Sequence, residues 1–104
     1  MYQIVITEPA EQDVALAARY IAAELQNPVA AGRLLDDIES AVSSLEDMPK
    51  RYALVKNEIL AGLGFRCLPV HNYLVFYIVR EETKSVIIER FLYNRRDWNN
   101  IIGK

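Results

Sequence analysis

The chain has 104 residues, of which 52% are hydrophobic, so we expect one compact domain over residues 1–104. The single cysteine, Cys67, excludes an internal disulfide and a zinc site of paired thiolates, and the N-terminus lacks the pattern of an export signal. The longest apolar run, residues 74–79, is far shorter than the roughly 20 residues of a membrane span. We therefore expect a cytoplasmic protein with no membrane partner.

The net charge of −2 is distributed unevenly along the chain. Residues 1–47 contain nine acidic and two basic residues and carry −7, whereas residues 48–104 contain ten basic and five acidic residues and carry +5. This separation indicates a polyanionic or acidic protein partner for the second half. The alternative is that the two halves neutralise each other within one fold.

The first half of the chain predicts one strand followed by a helical hairpin. Residues 2–7 alternate apolar and polar side chains, which is typical of a half-buried strand. Pro9 and its acidic neighbours begin a helix, Asn27 and Pro28 separate it from a second helix, and Pro49 follows the end of the second. The apolar positions at helical spacing are Val14, Ala17, Ala18, Ile21 and Leu25, then Ala31, Leu34, Leu35, Ile38, Ala41, Val42 and Leu45.

The second half predicts a basic loop, three strands joined by short turns, and a short C-terminal helix or arm. The loop covers residues 50–60, the strands cover residues 65–70, 73–80 and 85–93, and the arm covers residues 94–104. The strand at 73–80 is almost continuously apolar and is expected at mid-sheet. The fold class is α+β, with the order β-α-α-β-β-β and an antiparallel sheet in the second half.

No specific catalytic motif is present, and we expect no metal and no cofactor. The single histidine, His71, falls in a predicted turn and is expected to be structural. Arg90 and Glu89 stand out because charged groups in an apolar strand need partners or an open cleft. For Arg90, an internal ion pair is the structural alternative to a functional role. Arg66 lies in a predicted edge strand, where a charged side chain is common.

Several segments match a known family in order and spacing over nearly the whole chain. In the first half they are Asp13, Ile21, residues 27–31 (NPVAA), Leu45 and Pro49. In the second half they are residues 64–70 (GFRCLPV), 73–77 (YLVFY) and 91–98 (FLYNRRDW). With these segments the chain resembles toxins of the RelE/ParE superfamily of type II toxin–antitoxin systems, and is closer to the ParE type. The resemblance implies a four-stranded antiparallel sheet backed by a helical hairpin, and an antitoxin partner that holds the toxin inactive.

The resemblance implies either of two activities. RelE-type toxins are mRNA endoribonucleases (mRNA interferases) that act on the ribosome, and they carry an arginine on the central strand where this chain has Leu74. ParE-type toxins poison DNA gyrase without catalysing a reaction. Because leucine cannot stabilise the charge of phosphoryl transfer, we favour gyrase over the ribosome with mRNA as the target, which leaves open whether the chain is an enzyme.

The candidate site residues are basic and aromatic and lie in the second half. If the chain is a ribonuclease, the catalytic candidates are Arg66, Arg90, Tyr93 and Arg95. The candidates for target binding are Arg66, Arg90, Tyr93, Arg95, Arg96 and Trp98. A third possibility is a non-toxic binding module or a degenerate toxin that keeps the fold, because a fold alone does not determine an activity.

Overall fold

The computed structural model describes residues 1–102 and confirms the α+β order of one strand, a helical hairpin, three strands and a short C-terminal helix. The strands are β1 (Gln3–Ile6), β2 (Arg66–Val70), β3 (Tyr73–Arg80) and β4 (Ser85–Tyr93). The helices are α1 (Glu8–Arg19), α2 (Pro28–Ser43), α3 (Glu58–Gly62) and α4 (Trp98–Ile102). Residues 103 and 104 of the predicted arm lie outside the described residues. None of the helices within residues 1–102 is long and apolar enough to cross a bilayer.

The strands form one sheet in the order β1-β4-β3-β2. β2, β3 and β4 are antiparallel, as predicted. β1 pairs with β4 in parallel, with Gln3 opposite Ser85 and Ile6 opposite Ile88. The expectation of a wholly antiparallel sheet is therefore wrong for β1. The helical hairpin brings the chain back to the end of the sheet at which β1 starts, so β2 and β4 run in the same direction as β1.

The helical hairpin is defined by side-chain caps at both of its helices. The Thr7 hydroxyl accepts a hydrogen bond from the Ala10 N–H, at 3.2 Å, and begins α1, while the Asn27 side-chain Oδ1 accepts from the Ala30 N–H, at 3.1 Å, and begins α2. Between them α1 widens into a π-helical turn over Tyr20–Glu24. A π-helical turn has i→i+5 hydrogen bonds, but these five residues are too few for the apolar spacing to distinguish it from an α-helix.

The segment between α2 and β2 is more ordered than the predicted loop at residues 50–60. It contains two 3₁₀ turns, Ser44–Glu46 and Pro49–Arg51, and then α3. The Asn57 side chain caps α3 by accepting from the Leu60 N–H, at 3.0 Å. The loop prediction is wrong for α3, since a helix of five residues is too short to show a period.

The sheet is covered on both faces, which confirms β3 as a mid-sheet strand. We call the layer between the sheet and the helical hairpin the hairpin-side core. Its buried residues include Leu34, Ile38, Val75, Tyr77 and Phe91. We call the layer on the opposite face the α4-side cluster. Its buried residues are Leu60, Phe65, Phe76, Ile78 and Leu92, with Trp98, Ile101 and Ile102 packed against them.

Candidate functional site

Arg90, a candidate for target binding and catalysis, forms an ion pair with Asp13 of α1. Its Nε and Nη2 donate to the two Asp13 carboxylate oxygens at 2.7 and 2.8 Å, and the Phe91 N–H donates to the same carboxylate at 3.1 Å. The side chains are 27% exposed for Arg90 and 10% for Asp13. These hydrogen bonds raise the pKa of Arg90. The bidentate geometry fixes the guanidinium group between β4 and α1, which is the structural alternative that the sequence left open.

Arg66, the second sheet candidate, donates to backbone carbonyl oxygens. Its Nη1 lies 2.7 Å from the Tyr52 oxygen and 3.3 Å from the Lys50 oxygen. The residue is half-buried and lies opposite Tyr77 in the β2–β3 register. Arg66 thus holds the segment before α3 against the start of β2.

Tyr77 anchors the same segment from inside the sheet. Its hydroxyl donates to the Pro49 carbonyl oxygen at 2.6 Å, and the side chain is fully buried. Burial raises the pKa of Tyr77 to about 12, against the opposing effect of the nearby Arg66 and Arg51. Arg51 itself donates to the Ser44 and Asp47 carbonyl oxygens, at 3.0 and 2.9 Å.

The candidates at and after the end of β4 differ in how far their side chains are exposed to solvent. Tyr93, Arg95 and Arg96 are exposed, and neither arginine forms an ion pair with another residue in the range 1–102. Trp98 is half-buried, with its ring centroid 5.0 Å from that of Phe76. Trp98, a target-binding candidate from the sequence, therefore packs α4 against the α4-side cluster.

Leu74, where the ribonuclease branch carries an arginine, lies in an apolar setting. It is opposite Pro69 on β2 and Leu92 on β4, and it packs on the α4-side cluster. The thiol of Cys67 packs against the same cluster, and burial raises its pKa to about 11. A thiol with such a pKa is a poor nucleophile at neutral pH.

A cleft of about 830 Å³ opens between the hairpin turn and the end of the sheet. Its basic and aromatic residues include two of the predicted ones, Tyr93 and Arg96, and three that the sequence did not single out, Tyr20, Arg33 and Tyr73. Burial raises the pKa of Tyr73, and the phenols of Tyr93 and Tyr20 raise it further. The three tyrosines line one cleft although they come from the π-helical turn after α1, from β3 and from β4. We call this feature the Tyr–Arg cleft.

His71 borders the Tyr–Arg cleft and has a structural partner, as expected. Its Nε2 lies 2.6 Å from an Asp37 carboxylate oxygen, and its φ of 55° lets it form the turn between β2 and β3. Among residues 1–102, no three His, Cys, Asp or Glu side chains are grouped as metal ligands. Of the six predicted residues, Arg66 and Arg90 are bonded within the sheet region, and Tyr93 and Arg96 line the Tyr–Arg cleft. Arg95 is exposed outside the cleft lining, and Trp98 packs on the α4-side cluster.

The chain matches a known protein family over most of its length. A profile of the family described as the ParE toxin of type II toxin-antitoxin system, parDE, matches residues 4–98. The chain therefore belongs to the ParE toxin family, within the RelE/ParE superfamily, and is a toxin of a type II toxin–antitoxin system. The resemblance found in the sequence is confirmed. No curated protein sequence matches the chain.

Two solved structures are similar in fold. One is a chromosomal ParDE toxin–antitoxin system from P. aeruginosa, with 21% identity, a TM-score of 0.72, and coverage of 89% of this chain and 96% of that chain. The other is the toxin–antitoxin complex RelBE2 from Mycobacterium tuberculosis, with 20% identity, a TM-score of 0.60, and coverage of 88% of this chain and 96% of that chain. At these identities the likeness supports the fold.

Proposed function

We propose that this toxin arrests growth by poisoning DNA gyrase and that it is not a ribonuclease. The observation that carries the proposal is the apolar environment of Leu74, at the position where the ribonuclease branch has an arginine. Cleavage of mRNA needs groups that hold the phosphate and stabilise the negative charge of the transition state. A leucine between Pro69 and Leu92 supplies neither a hydrogen bond nor a charge.

The engagement of the two sheet arginines supports the same proposal. Arg66 or Arg90 would have to replace the missing arginine from a neighbouring strand. Arg90 is held by both oxygens of Asp13, and Arg66 donates to the Tyr52 and Lys50 carbonyl oxygens. Moving either side chain to a phosphate breaks these hydrogen bonds and leaves a partly buried carboxylate or carbonyl group unsatisfied, which costs about 1–3 kcal/mol or more.

Assays of purified toxin on gyrase and on ribosome-bound mRNA test which target it acts on. It is expected to inhibit supercoiling of relaxed plasmid by gyrase and to leave mRNA intact in programmed ribosomes. Site-specific cleavage of ribosome-bound mRNA, with supercoiling unaffected, would reverse the assignment of the target and leave the family unchanged. Expression without growth arrest would instead favour a non-toxic module.

The partner that inhibits the toxin is proposed to be a cognate antitoxin that covers the helical hairpin and adjoining sheet. Both similar structures come from toxin–antitoxin systems. The hairpin leaves large apolar side chains in solvent, with Leu16 60% and Val29 70% exposed. An apolar groove of about 440 Å³ between β1, α1 and α2 adds to this surface and includes Leu35. Burying such surface is the main source of binding free energy in stable interfaces.

A pair of matched variants tests the antitoxin surface. Leu35→Glu lies in the groove, and Ile59→Glu changes an apolar residue that is 74% exposed on α3, away from the hairpin. We expect Leu35→Glu to weaken antitoxin binding about tenfold or more, as for an interface hot spot, and Ile59→Glu to leave it unchanged. Titration calorimetry with the protein encoded beside the toxin gene measures both. Equal affinities, or a complex that leaves the hairpin and sheet free, would contradict the proposal.

A further inference from the structure

The Tyr–Arg cleft has the size and lining of a ligand site that the gyrase proposal does not use. Its volume of about 830 Å³ falls within the range of small-ligand pockets, roughly 300–1,000 Å³. Ile21 and Leu34 contribute apolar surface, while the rest of the lining includes three tyrosines and two arginines. Such a site suits a flat ring that is linked to a negatively charged group.

The tyrosines supply aromatic surfaces that are held in place. Tyr73 stacks on Phe91 with ring centroids 4.8 Å apart and planes 14° apart. Tyr93 meets Tyr73 edge-on, with centroids 5.6 Å apart and planes 73° apart. Tyr20 is 53% exposed on the π-helical turn at the opposite wall. Tyr20 and Tyr93 therefore have ring surface available to a ligand, while Tyr73 is fixed by the core.

The arginines supply charge that the fold does not neutralise. Arg33 comes from α2 and Arg96 follows β4, and both are exposed. In the part of the chain that the structure describes, neither forms an ion pair. The nearby carboxylate of Asp37 is bonded to His71. This differs from Arg66 and Arg90, whose donors are used within the fold.

We propose that the Tyr–Arg cleft binds single-stranded nucleic acid, one or two nucleotides at a time, by stacking bases on Tyr20 and Tyr93 and pairing phosphates with Arg33 and Arg96. Stacking on aromatic rings together with arginine contacts to the backbone is the general way in which proteins bind single strands. This site does not depend on whether the toxin's target is gyrase or the ribosome.

The surroundings favour a short unpaired stretch over other ligands. A duplex needs a long basic surface, whereas the chain carries a net charge of −2 and its hairpin half carries −7. A peptide commonly adds to an open sheet edge. Tyr73 lies on β3, between β4 and β2, and the part of β4 that extends past β1 is covered by α1, where the Phe91 N–H donates to the Asp13 carboxylate. The exposed guanidinium groups of Arg33 and Arg96 also favour an anionic ligand over the apolar face of a helix.

Fluorescence anisotropy of a short labelled oligothymidylate, with the full-length toxin, tests the site. If two phosphates are bound, the logarithm of the affinity should fall against the logarithm of salt concentration with a slope of about −1.4, since each contact in a single strand contributes about −0.7. The double variant Arg33→Gln/Arg96→Gln should bring this slope close to zero. The control Arg80→Gln changes an exposed arginine at the far end of β3 and should behave like the unaltered protein.

Stacking is tested with two substitutions of one exposed residue. Tyr20→Ala should weaken strand binding about tenfold, and Tyr20→Phe should retain the affinity, because phenylalanine keeps the ring. Circular dichroism checks that both variants are folded. The proposal is overturned if Tyr20→Ala and the double arginine variant bind like the unaltered protein, or if a duplex binds as tightly as the strand. Binding of an acidic tyrosine-containing peptide, with no binding of the strand, would overturn it in favour of a protein partner. The supercoiling and mRNA assays are independent of these measurements.

Discussion

The arginines within the sheet and the arginines after β4 carry the same charge in different surroundings. Arg90 and Arg66 have their donors committed to Asp13 and to backbone carbonyl oxygens. Arg95 and Arg96 are exposed and form no ion pair within residues 1–102. A cation that the fold has neutralised contributes to stability, whereas one left in solvent is available to another molecule. Loss of Arg66 or Arg90 should therefore reduce stability, whereas loss of Arg95 or Arg96 should reduce binding to another molecule.

The largest effect is expected from Asp13→Ala, which leaves Arg90 without its partner. The Phe91 N–H loses its acceptor in the same variant. Breaking a largely buried pair at one end should cost about 3 kcal/mol, and for a chain of this size that lowers Tm by roughly 10 °C or more. Thermal and urea denaturation measure the loss. Arg90→Ala should also destabilise the fold, because it leaves the Asp13 carboxylate without its partner.

A double-mutant cycle provides the control for this ion pair. Asp13→Ala combined with Arg90→Ala should cost less stability than the sum of the two single changes, because Arg90→Ala removes the charge that Asp13→Ala leaves unpaired. Additive losses would show that the pair is not coupled, and the distinction between the two sets of arginines would then fail.

A smaller loss is expected from Trp98→Ala, which removes the packing of α4 on Phe76. A half-buried tryptophan truncated to alanine should cost about 2 kcal/mol, below the range for fully buried aromatic residues. Because Arg95 and Arg96 immediately precede α4, the variant should also increase proteolytic cleavage in this region. Limited proteolysis followed by mass spectrometry locates the cuts. An unchanged pattern and stability would show that Trp98 is free to act at a target surface.

Tyr77→Phe should cost about 1 kcal/mol by removing the hydrogen bond to the Pro49 carbonyl oxygen. The folded-state pKa of Tyr77 is raised to about 12, above the value of about 10 for an unfolded tyrosine. The stabilisation is therefore complete below about pH 10 and is lost as the pH rises towards 12. Denaturation across this range should show a shallower alkaline loss in Tyr77→Phe. Cys67, whose pKa burial raises to about 11, accounts for part of the loss that persists. Identical pH profiles would contradict the assignment.

The smallest change in stability, within about 0.5 kcal/mol, is expected from Arg95→Gln and Arg96→Gln because both side chains are exposed. Their toxicity should nevertheless fall if these cations contact the target or its nucleic acid. Growth arrest at matched expression, with Arg80→Gln as the control, measures this. Full toxicity in both variants would assign the exposed arginines to the antitoxin instead.

Much of the fold followed from local patterns in the sequence. The continuous apolar run at residues 73–80 indicated a strand covered on both faces, and Asn27 with Pro28 marked the hairpin. Strand direction was less accessible, because alternation in residues 2–7 shows that a strand exists but says nothing of the strand with which it pairs. The five-residue α3 and the π-helical turn leave no distinct period, so both escaped detection.

The candidate site was harder to predict because its partners are distant in sequence. Asp13 and Arg90 are 77 positions apart, so the pattern identified an unusual charge without identifying what neutralises it. The same holds for the Tyr–Arg cleft. Tyr20 lies outside the apolar positions predicted for the first helix, and Tyr73 begins the strand predicted at residues 73–80. Only the register of β3 with β4, which places Tyr73 opposite Tyr93, brings the aromatic residues together.

The parallel pairing of β1 with β4 determines the order in which the toxin can assemble. Residues 3–6 are synthesised before their partners, residues 85–88, so β1 finds its place in the sheet only after β4 has been made. Contacts of such long sequence separation require closure of a large loop and slow folding. The Asp13–Arg90 pair forms under the same constraint. A toxin chain that stops before β4 therefore lacks both the completed sheet and the ion pair.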